Sequence, residues 1–370
     1  MINARIIRGI RKYATVQSVD NLKNIPKNST IFSMIQPTGK FHLGNYLGAI
    51  KSWKTISESN SEGSKYLYGI ADLHAITMPV DAVQLKRNRY EAMASLIASG
   101  LDIEKCILFH QSSIPEHSEL NWVLTCKTSM GHLNRMTQWK LKSSTLETDS
   151  IYDDKILEKI KAGLLCYPIL QAADILIYNS THVPVGEDQA QHLELTRSIA
   201  NSFNHDYKSK FFNVPKTLLA RNQKVLSLRN PIKKMSKSDK DQNSCVYITE
   251  TPEEISRKIR RAITDSIQGP ITYDLQNRPG VSNLITIISG ITEKSIDETV
   301  QELSWVKDHK QLKDYVTEII VEEFKPKRHM FDQLMTDMSY LQKISNQGRD
   351  KAREIASENM NQVRKIVGMD

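Results

Sequence analysis

The stretch IFSMIQPTGKFHLGNYLGAI, residues 31–50, decides how this chain is folded. Ile31 to Ile35 is an apolar run of strand length, and it stops at Gln36-Pro37-Thr38-Gly39, all turn residues. A helical pattern then opens near Gly44 and continues through Tyr46, Leu47 and Ile50. A strand feeding a helix through a short turn is half of a strand–helix–strand unit. The mouth of that helix carries His42, Gly44 and Asn45. Free backbone N–H groups and a partial positive charge at such a mouth favour phosphate, and the three residues add side-chain donors and close backbone access.

Working outward, Tyr66–Ile70, Cys106–Phe109 and His182–Val185 read as further strands, and 81–98 reads as a helix. Strands alternating with helices predict an α/β fold built on a parallel, doubly wound sheet. Ligands in such sheets sit beyond the carboxyl ends of the strands, where strand order reverses. Gln36, Asp72, Gln111 and Gly186 each follow a predicted strand and so share one rim. After Thr251 the pattern changes. Thr251-Pro252-Glu253-Glu254 is a helix start, with a capping residue, proline at the first helical position and acids in the first turn. The rest reads as helical, ending in an amphipathic helix over 350–367. The expected division is a leader over 1–28, a catalytic domain over 29–228, a connecting loop over 229–250 and an α-helical domain over 251–370.

Composition narrows the class. The 370 residues are 39% hydrophobic and 25% charged, as in ordinary globular proteins. No apolar run approaches the ~20 residues of a membrane span. Of the net charge of +8, residues 1–30 supply +5, from Arg5, Arg8, Arg11, Lys12, Lys23 and Lys27 against Asp20. Ile6, Ile7 and Ile10 line one helical face of this leader. The composition is that of a mitochondrial presequence, with a disordered basic arm as the alternative. Arg11-Lys12-Tyr13-Ala14 resembles a matrix-protease site, which would start the mature chain near Ala14 and place it in the mitochondrial matrix. The four cysteines, Cys106, Cys126, Cys166 and Cys245, lie far apart with no C-x-x-C, so they lack the usual metal spacing and read as reduced thiols.

A second motif is Lys233-Lys234-Met235-Ser236-Lys237-Ser238-Asp239. Two lysines three apart with hydroxyls between them suit a polyphosphate whose charge grows in a transition state. Read alone it is a solvated basic loop; paired with the helix mouth it becomes half of a clamp. Elsewhere, Tyr167, Gln171 and Asp174 stand at i, i+4 and i+7 and so share one helical face among apolar neighbours. A carboxylate in such a pocket needs a donor, because unpaired burial is costly. Gly186-Glu187-Asp188-Gln189 opens another helix after a strand. Its acids can accept from ribose hydroxyls or serve simply as a first-turn cap.

These residues resemble a known family. Pro37 to Asn45 is similar to the HIGH signature of the class I aminoacyl-tRNA synthetases, and Lys234 to Ser238 is their KMSKS signature letter for letter. Gln36 to Asn45, Asp72–Ala75, Arg135–Lys140, Ala172–Tyr178 and Val183–Arg197 resemble the tryptophanyl branch of that class. The resemblance runs from Thr30 almost to the C-terminus. It implies a Rossmann-like catalytic domain followed by a helical anticodon-binding domain, with the last helix packing back on the catalytic domain. It also implies a homodimer and a two-step reaction. The tryptophan carboxylate attacks the α-phosphate of ATP, and the adenylate then passes to the 2′-hydroxyl of the terminal adenosine of tRNA(Trp). The nucleophile is already anionic, so positioning and charge stabilisation would suffice.

The same resemblance assigns roles. His42, Asn45, Lys234 and Lys237 would be catalytic. ATP would lie against Gln36, Pro37, Thr38, Gly44, Asn45, Gly186, Glu187, Asp188, Val225, Lys234, Met235, Ser236, Lys237 and Ser238, bringing Mg2+ with it, and no metal site on the protein itself is expected. Tryptophan would meet Phe32, Gln36, His74, Tyr167, Gln171, Asp174, Val183, Val185 and Gln189, with Asp174 accepting from the indole N–H. Candidate tRNA contacts are Arg135, Lys140, Arg257, Lys258, Arg260 and Arg261, and also Lys325, Lys327 and Arg328, although 251–370 holds 18 basic and 19 acidic side chains and has no overall pull on RNA. Gln171 departs from the methionine usual in bacterial relatives, and a Tyr-x-x-x-Gln-x-x-Asp face also occurs in the sister tyrosyl enzymes. The rival readings are therefore a tyrosyl enzyme, a synthetase-like RNA-binding protein without aminoacylation, and a small-molecule nucleotidyltransferase, which would lack the long helical C-terminal region.

Overall fold

A computed structural model describes residues 16–18, 25–59, 61–142, 160–186, 189–219, 224–237, 239–267 and 269–370. The expected strands are present with small changes at their ends. They are β2 (Thr30–Ile35), β3 (Lys65–Ile70), β4 (Cys106–His110) and β5 (His182–Val185), joined by β6 (Lys216–Leu219) and a short β1 (Val16–Ser18). All pair in parallel, in the order β1-β6-β5-β2-β3-β4. From β2 the chain steps outward one way through β3 and β4, and from β5 the other way through β6. Strand order therefore reverses between β2 and β5.

That junction is loosely joined. Only Ile31 and His182 stand in register there. Pro184 has no N–H to offer across the gap, and the Ser33 hydroxyl instead donates to its carbonyl at 2.8 Å. A crevice at the carboxyl ends of β2 and β5 is the consequence.

Within the stretch 1–28, Val16–Ser18 pairs along β6 and Ile25 is buried. The basic residues ahead of Val16 lie outside the described residues.

The signature helix starts at Leu43, runs through a wide π-type turn at Tyr46–Ile50, and continues as α1 (Lys51–Glu58). Sharing its core are α2 (Ala82–Ala98), capped by Asp81, and helices of the C-terminal half. Thr251 caps α5 (Pro252–Arg260), and Glu254 returns the bond, as the sequence pattern requires. Three long helices follow: α6 (Pro279–Thr292), α7 (His309–Thr336) and α8 (Met338–Val367). The last starts twelve residues earlier than expected.

One apolar core runs from the sheet through α1 and α2 into α6 and α7, so the two halves share packing. A second core lies on the other sheet face, among β2, β4, the helices that carry Tyr167 and Leu193, and the inner side of α8. Helix α8 also closes the sheet edge at β4. At Gly348 its backbone presses so near that an added Cβ would lie 1.8 Å from the Leu108 carbonyl oxygen.

Candidate active site

The crevice at the strand switch holds a cavity of about 360 Å3, within the usual range for small-molecule sites. All nine residues expected around the amino acid line it: Phe32 and Gln36 from β2 and its turn, His74 from the short helical turn Asp72–Ala75 after β3, Tyr167, Gln171 and Asp174 from one helix face, and Val183, Val185 and Gln189 around β5. Ser33, Met34, Ile35, Ala71, Gln138 and Ile175 complete the wall. The helix that carries the Tyr167 face spans Ala162–Leu176 (α4, following α3 at Glu116–Thr125).

Asp174 is 1% exposed and is not short of partners. Its Oδ1 accepts from Gln111 Nε2 at 2.8 Å and from His117 Nδ1 at 2.6 Å, while Oδ2 pairs with His74 Nε2 at 2.7 Å. The donors that a buried carboxylate needs are thus supplied by the protein itself. Burial raises its pKa, but the bonds from His117 and His74 outweigh that and bring it to about 2. The group is therefore a fixed anion, and a ligand N–H is an added donor rather than the one that makes burial tolerable. Neither His117 nor Gln111 stood among the candidate site residues. Gln111 follows β4 on the shared rim, a usable signal; His117 sits in the first turn of α3 with no motif around it.

A second network borders the cavity. Gln171 donates to Gln189 at 3.2 Å, Gln189 Oε1 also meets His192 Nδ1 at 3.0 Å, and His192 Nε2 meets the Tyr167 hydroxyl at 3.1 Å. Gln171 thus serves to orient Gln189. Phe32 stacks on Tyr178 at 5.3 Å and closes the apolar side.

The helix mouth lies just past β2. His42 Nδ1 accepts from the Asn45 backbone N–H at 3.3 Å, and the Asn45 side chain accepts from the His42 N–H at 3.2 Å. This reciprocal cap occupies Nδ1, so the proton of a neutral ring sits on Nε2, which becomes the free donor. The ring stays neutral near pH 7 because burial, then Lys234, then Lys237, lower its pKa to about 4. An ideal Cβ on Gly44 would sit 3.0 Å from the His42 ring, so this glycine makes room for histidine.

The lysine loop folds onto the same place. Met235 is buried and its N–H donates to the Val225 carbonyl at 3.0 Å, while the Cys245 thiol donates to the Ser236 carbonyl at 2.9 Å. Lys237 donates to the Thr38 carbonyl, and Lys234 is exposed. The segment after the loop is stitched to the first signature, Leu43 N to Val246 O at 2.8 Å and Ile248 N to Phe41 O at 3.0 Å. Two sequence motifs nearly two hundred residues apart are thereby one structure. Gln36, Pro37, Thr38 and Gly186 lie on the same rim; Glu187, Asp188 and Ser238 lie outside the described residues.

The basic clusters divide. Arg257, Arg260 and Arg261 are exposed. Lys258 is instead buried, paired with Glu250 and donating to the Cys245 carbonyl at 2.7 Å, which makes it part of the frame behind the loop. Lys140 is also buried, over the Trp139 ring. Lys327 pairs with Glu323 at 2.9 Å, and Arg328 donates to the Glu250 carbonyl at 2.7 Å.

The chain as a whole is similar to known proteins. The family described as tRNA synthetases class I (W and Y) matches residues 23–325. The mitochondrial tryptophan–tRNA ligase of Saccharomyces cerevisiae is 49% identical over 365 residues, covering 97% of this chain and 96% of that protein. The tryptophan–tRNA ligase of Clostridium perfringens is 42% identical over 344 residues, 93% of this chain and 98% of that protein. Among solved structures, tryptophanyl-tRNA synthetase from Mycoplasma pneumoniae has a TM-score of 0.79 at 31% identity, covering 92% of this chain and 98% of that one. The enzyme from Campylobacter jejuni, in complex with ADP and tryptophan, has a TM-score of 0.73 at 30% identity, covering 92% and 99%.

Proposed function

This chain belongs to the class I tRNA synthetases of the tryptophan and tyrosine family, and from that premise we propose that it joins L-tryptophan to tRNA(Trp) at the expense of ATP, through tryptophanyl-adenylate, for mitochondrial translation. The observation that carries the reading is one cavity that ends on a buried, ionised carboxylate with room on Oδ2 for one more donor, and that opens beside the paired signatures. The indole slot lies between Phe32 and the Asp174 face, and the ring N–H donates to Asp174. Gln189, steadied by Gln171 and His192, and Tyr167 receive the ammonium.

The carboxylate of the amino acid then points from the cavity toward the helix mouth. An ATP α-phosphate seated there meets His42 as a neutral Nε2–H donor. Lys237 exchanges the Thr38 carbonyl for phosphate, and Lys234 approaches from solvent. These cations stabilise charge that grows as pyrophosphate departs, and Mg2+ enters with the nucleotide. Ribose lies toward Gly186 and adenine toward Val225 and Met235. The acceptor end of the tRNA reaches the adenylate over Arg135, and the exposed Arg257, Arg260 and Arg261 are candidate phosphate contacts. Homodimer formation and a matrix location for the mature chain complete the reading. They rest on the family and on the basic leader.

Measuring ATP–pyrophosphate exchange with each of the twenty amino acids tests it. Exchange driven by tryptophan alone is expected. Exchange driven by tyrosine would transfer the assignment to the sister specificity, and silence with all twenty would leave a synthetase-like RNA binder.

A further inference from the structure

Behind Asp174 lies a pair of residues that the reaction does not touch. His117 is fully buried, with Nδ1 on Asp174 Oδ1 at 2.6 Å and Nε2 on the Tyr178 hydroxyl at 2.8 Å. An ionised carboxylate can only accept, so the proton on Nδ1 belongs to His117. Nε2 of a neutral ring must then accept from Tyr178. With the ring neutral, the order is Tyr178 O–H to His117, His117 N–H to Asp174. It fixes which way Asp174 faces, because each bond tolerates little rotation.

The C-terminal helix grips both members of this pair through their sequence neighbours. Glu116 precedes His117; it is 6% exposed, and its Oε1 accepts from Ser357 Oγ at 2.6 Å and Arg353 Nε at 3.2 Å. Ile177 precedes Tyr178, and its carbonyl accepts from Asn359 Nδ2 at 2.7 Å. Arg353, Ser357 and Asn359 all lie on α8. A third anchor, Arg364 to Glu119 at 2.7 Å, secures the same first turns of α3. One helix thus clamps the start of α3 and the end of α4, the two elements whose ends supply the His117–Tyr178 pair.

We propose that Ser357, Arg353 and Asn359 of the C-terminal helix are positioning residues for amino-acid selection, acting through the His117–Tyr178 pair to aim Asp174 at the indole N–H. The proposal rests on the tryptophan reading above for its ligand, but its geometry is independent of it. Of the residues proposed to meet ATP, only Gln36 lines the cavity that ends on Asp174. Loosening it therefore weakens tryptophan recognition and leaves ATP recognition unchanged.

The test uses the full chain with Ser357→Ala and Asn359→Ala combined, Tyr178→Phe, and all three together, and Ser357→Thr as the conservative control. The expected result is a KM for tryptophan raised roughly ten- to a hundredfold in the double variant and in Tyr178→Phe, with the KM for ATP unchanged. The triple variant is expected to be no worse than the worse of these, because both routes act on one pair. Ser357→Thr keeps the hydroxyl and restores the wild-type KM. Equal rises in both KM values, or fully additive losses, would overturn the proposal.

A spectroscopic arm needs no activity. 15N NMR of histidine-labelled protein, with His117 assigned by its loss in His117→Gln, is expected to show the Nδ1–H tautomer in wild type and exchange between tautomers in the double variant. A doubly protonated or Nε2–H ring in wild type, or an unaltered signal in the double variant, would refute the brace. If wild type exchanges pyrophosphate without tryptophan, the functional reading fails while this arm still decides the structural one.

Discussion

Lys237 shows most directly what single residues contribute. Its ammonium rests on the Thr38 carbonyl, within reach of where a departing pyrophosphate would build charge. Lys237→Ala is expected to slow adenylate formation by about a hundred- to a thousandfold, the usual loss for one transition-state donor, with melting unchanged; single-turnover kinetics and calorimetry on one preparation read both. Gly39 is constrained differently. Its φ is +85°, and a Cβ would lie 2.8 Å from both Asn88 Oδ1 and the Lys237 ammonium nitrogen. Gly39→Ala should cost roughly 1–3 kcal/mol in urea unfolding and disturb the lysine loop as well; an unaltered midpoint would show that the turn is not strained. Much of this scale was legible in the sequence. Tyr167, Gln171 and Asp174 share a face because helical spacing alone dictates it. The His117–Asp174 bond was not legible, because it joins two helices through a fold-level approach that no local spacing encodes. Lys258 misled for a related reason. A basic run gives no sign of which lysine turns inward, and burial against Glu250 is decided by packing.

At the scale of elements, the helix mouth is held by caps rather than by length. The reciprocal cap between His42 and Asn45 has a counterpart between Thr251 and Glu254 at the start of α5. Thr251→Ala is expected to cost about 1 kcal/mol, read as a shifted denaturation midpoint at constant slope. Gly348→Ala belongs to a harsher class. Its added methyl meets backbone at the edge strand, so α8 must shift bodily, at about 3 kcal/mol or more, and the KM for tryptophan should rise with it. Element types and order were readable because periodicity and Pro/Gly punctuation are local. β1 escaped because three residues carry too little pattern, β6 because Lys216-Thr217-Leu218-Leu219 neither alternates nor forms a continuous apolar run, and the start of α8 because a break of a single residue, Asp337, divides two long helices.

For the whole molecule, buried histidines set the response to acid. His42 and His110 both have pKa values brought down to about 4, chiefly by burial and then by nearby cations. The unfolded chain takes up these protons near pH 6.5, before the folded chain does, so stability is fully present above that pH and declines as pH falls toward 4. Each site contributes roughly 3 kcal/mol as an upper limit. The melting temperature should therefore fall between pH 7 and pH 4.5, and a flat profile there would show that these rings are more accessible than their packing indicates. Asp174, with its lowered pKa, adds a loss only below about pH 4. The contact of Gly348 with Leu108 has a further consequence, in the order in which the chain is made. The thirty residues of α8 leave the ribosome, or a translocation channel, after every strand of the sheet. Until they arrive, β4 shows an open hydrogen-bonding edge, and the carboxylate at the base of the amino-acid site has no brace. A chain without α8 is thus at once prone to strand-to-strand association and poor at choosing its amino acid, so the arrival of this one helix covers the sheet edge and sets selectivity together.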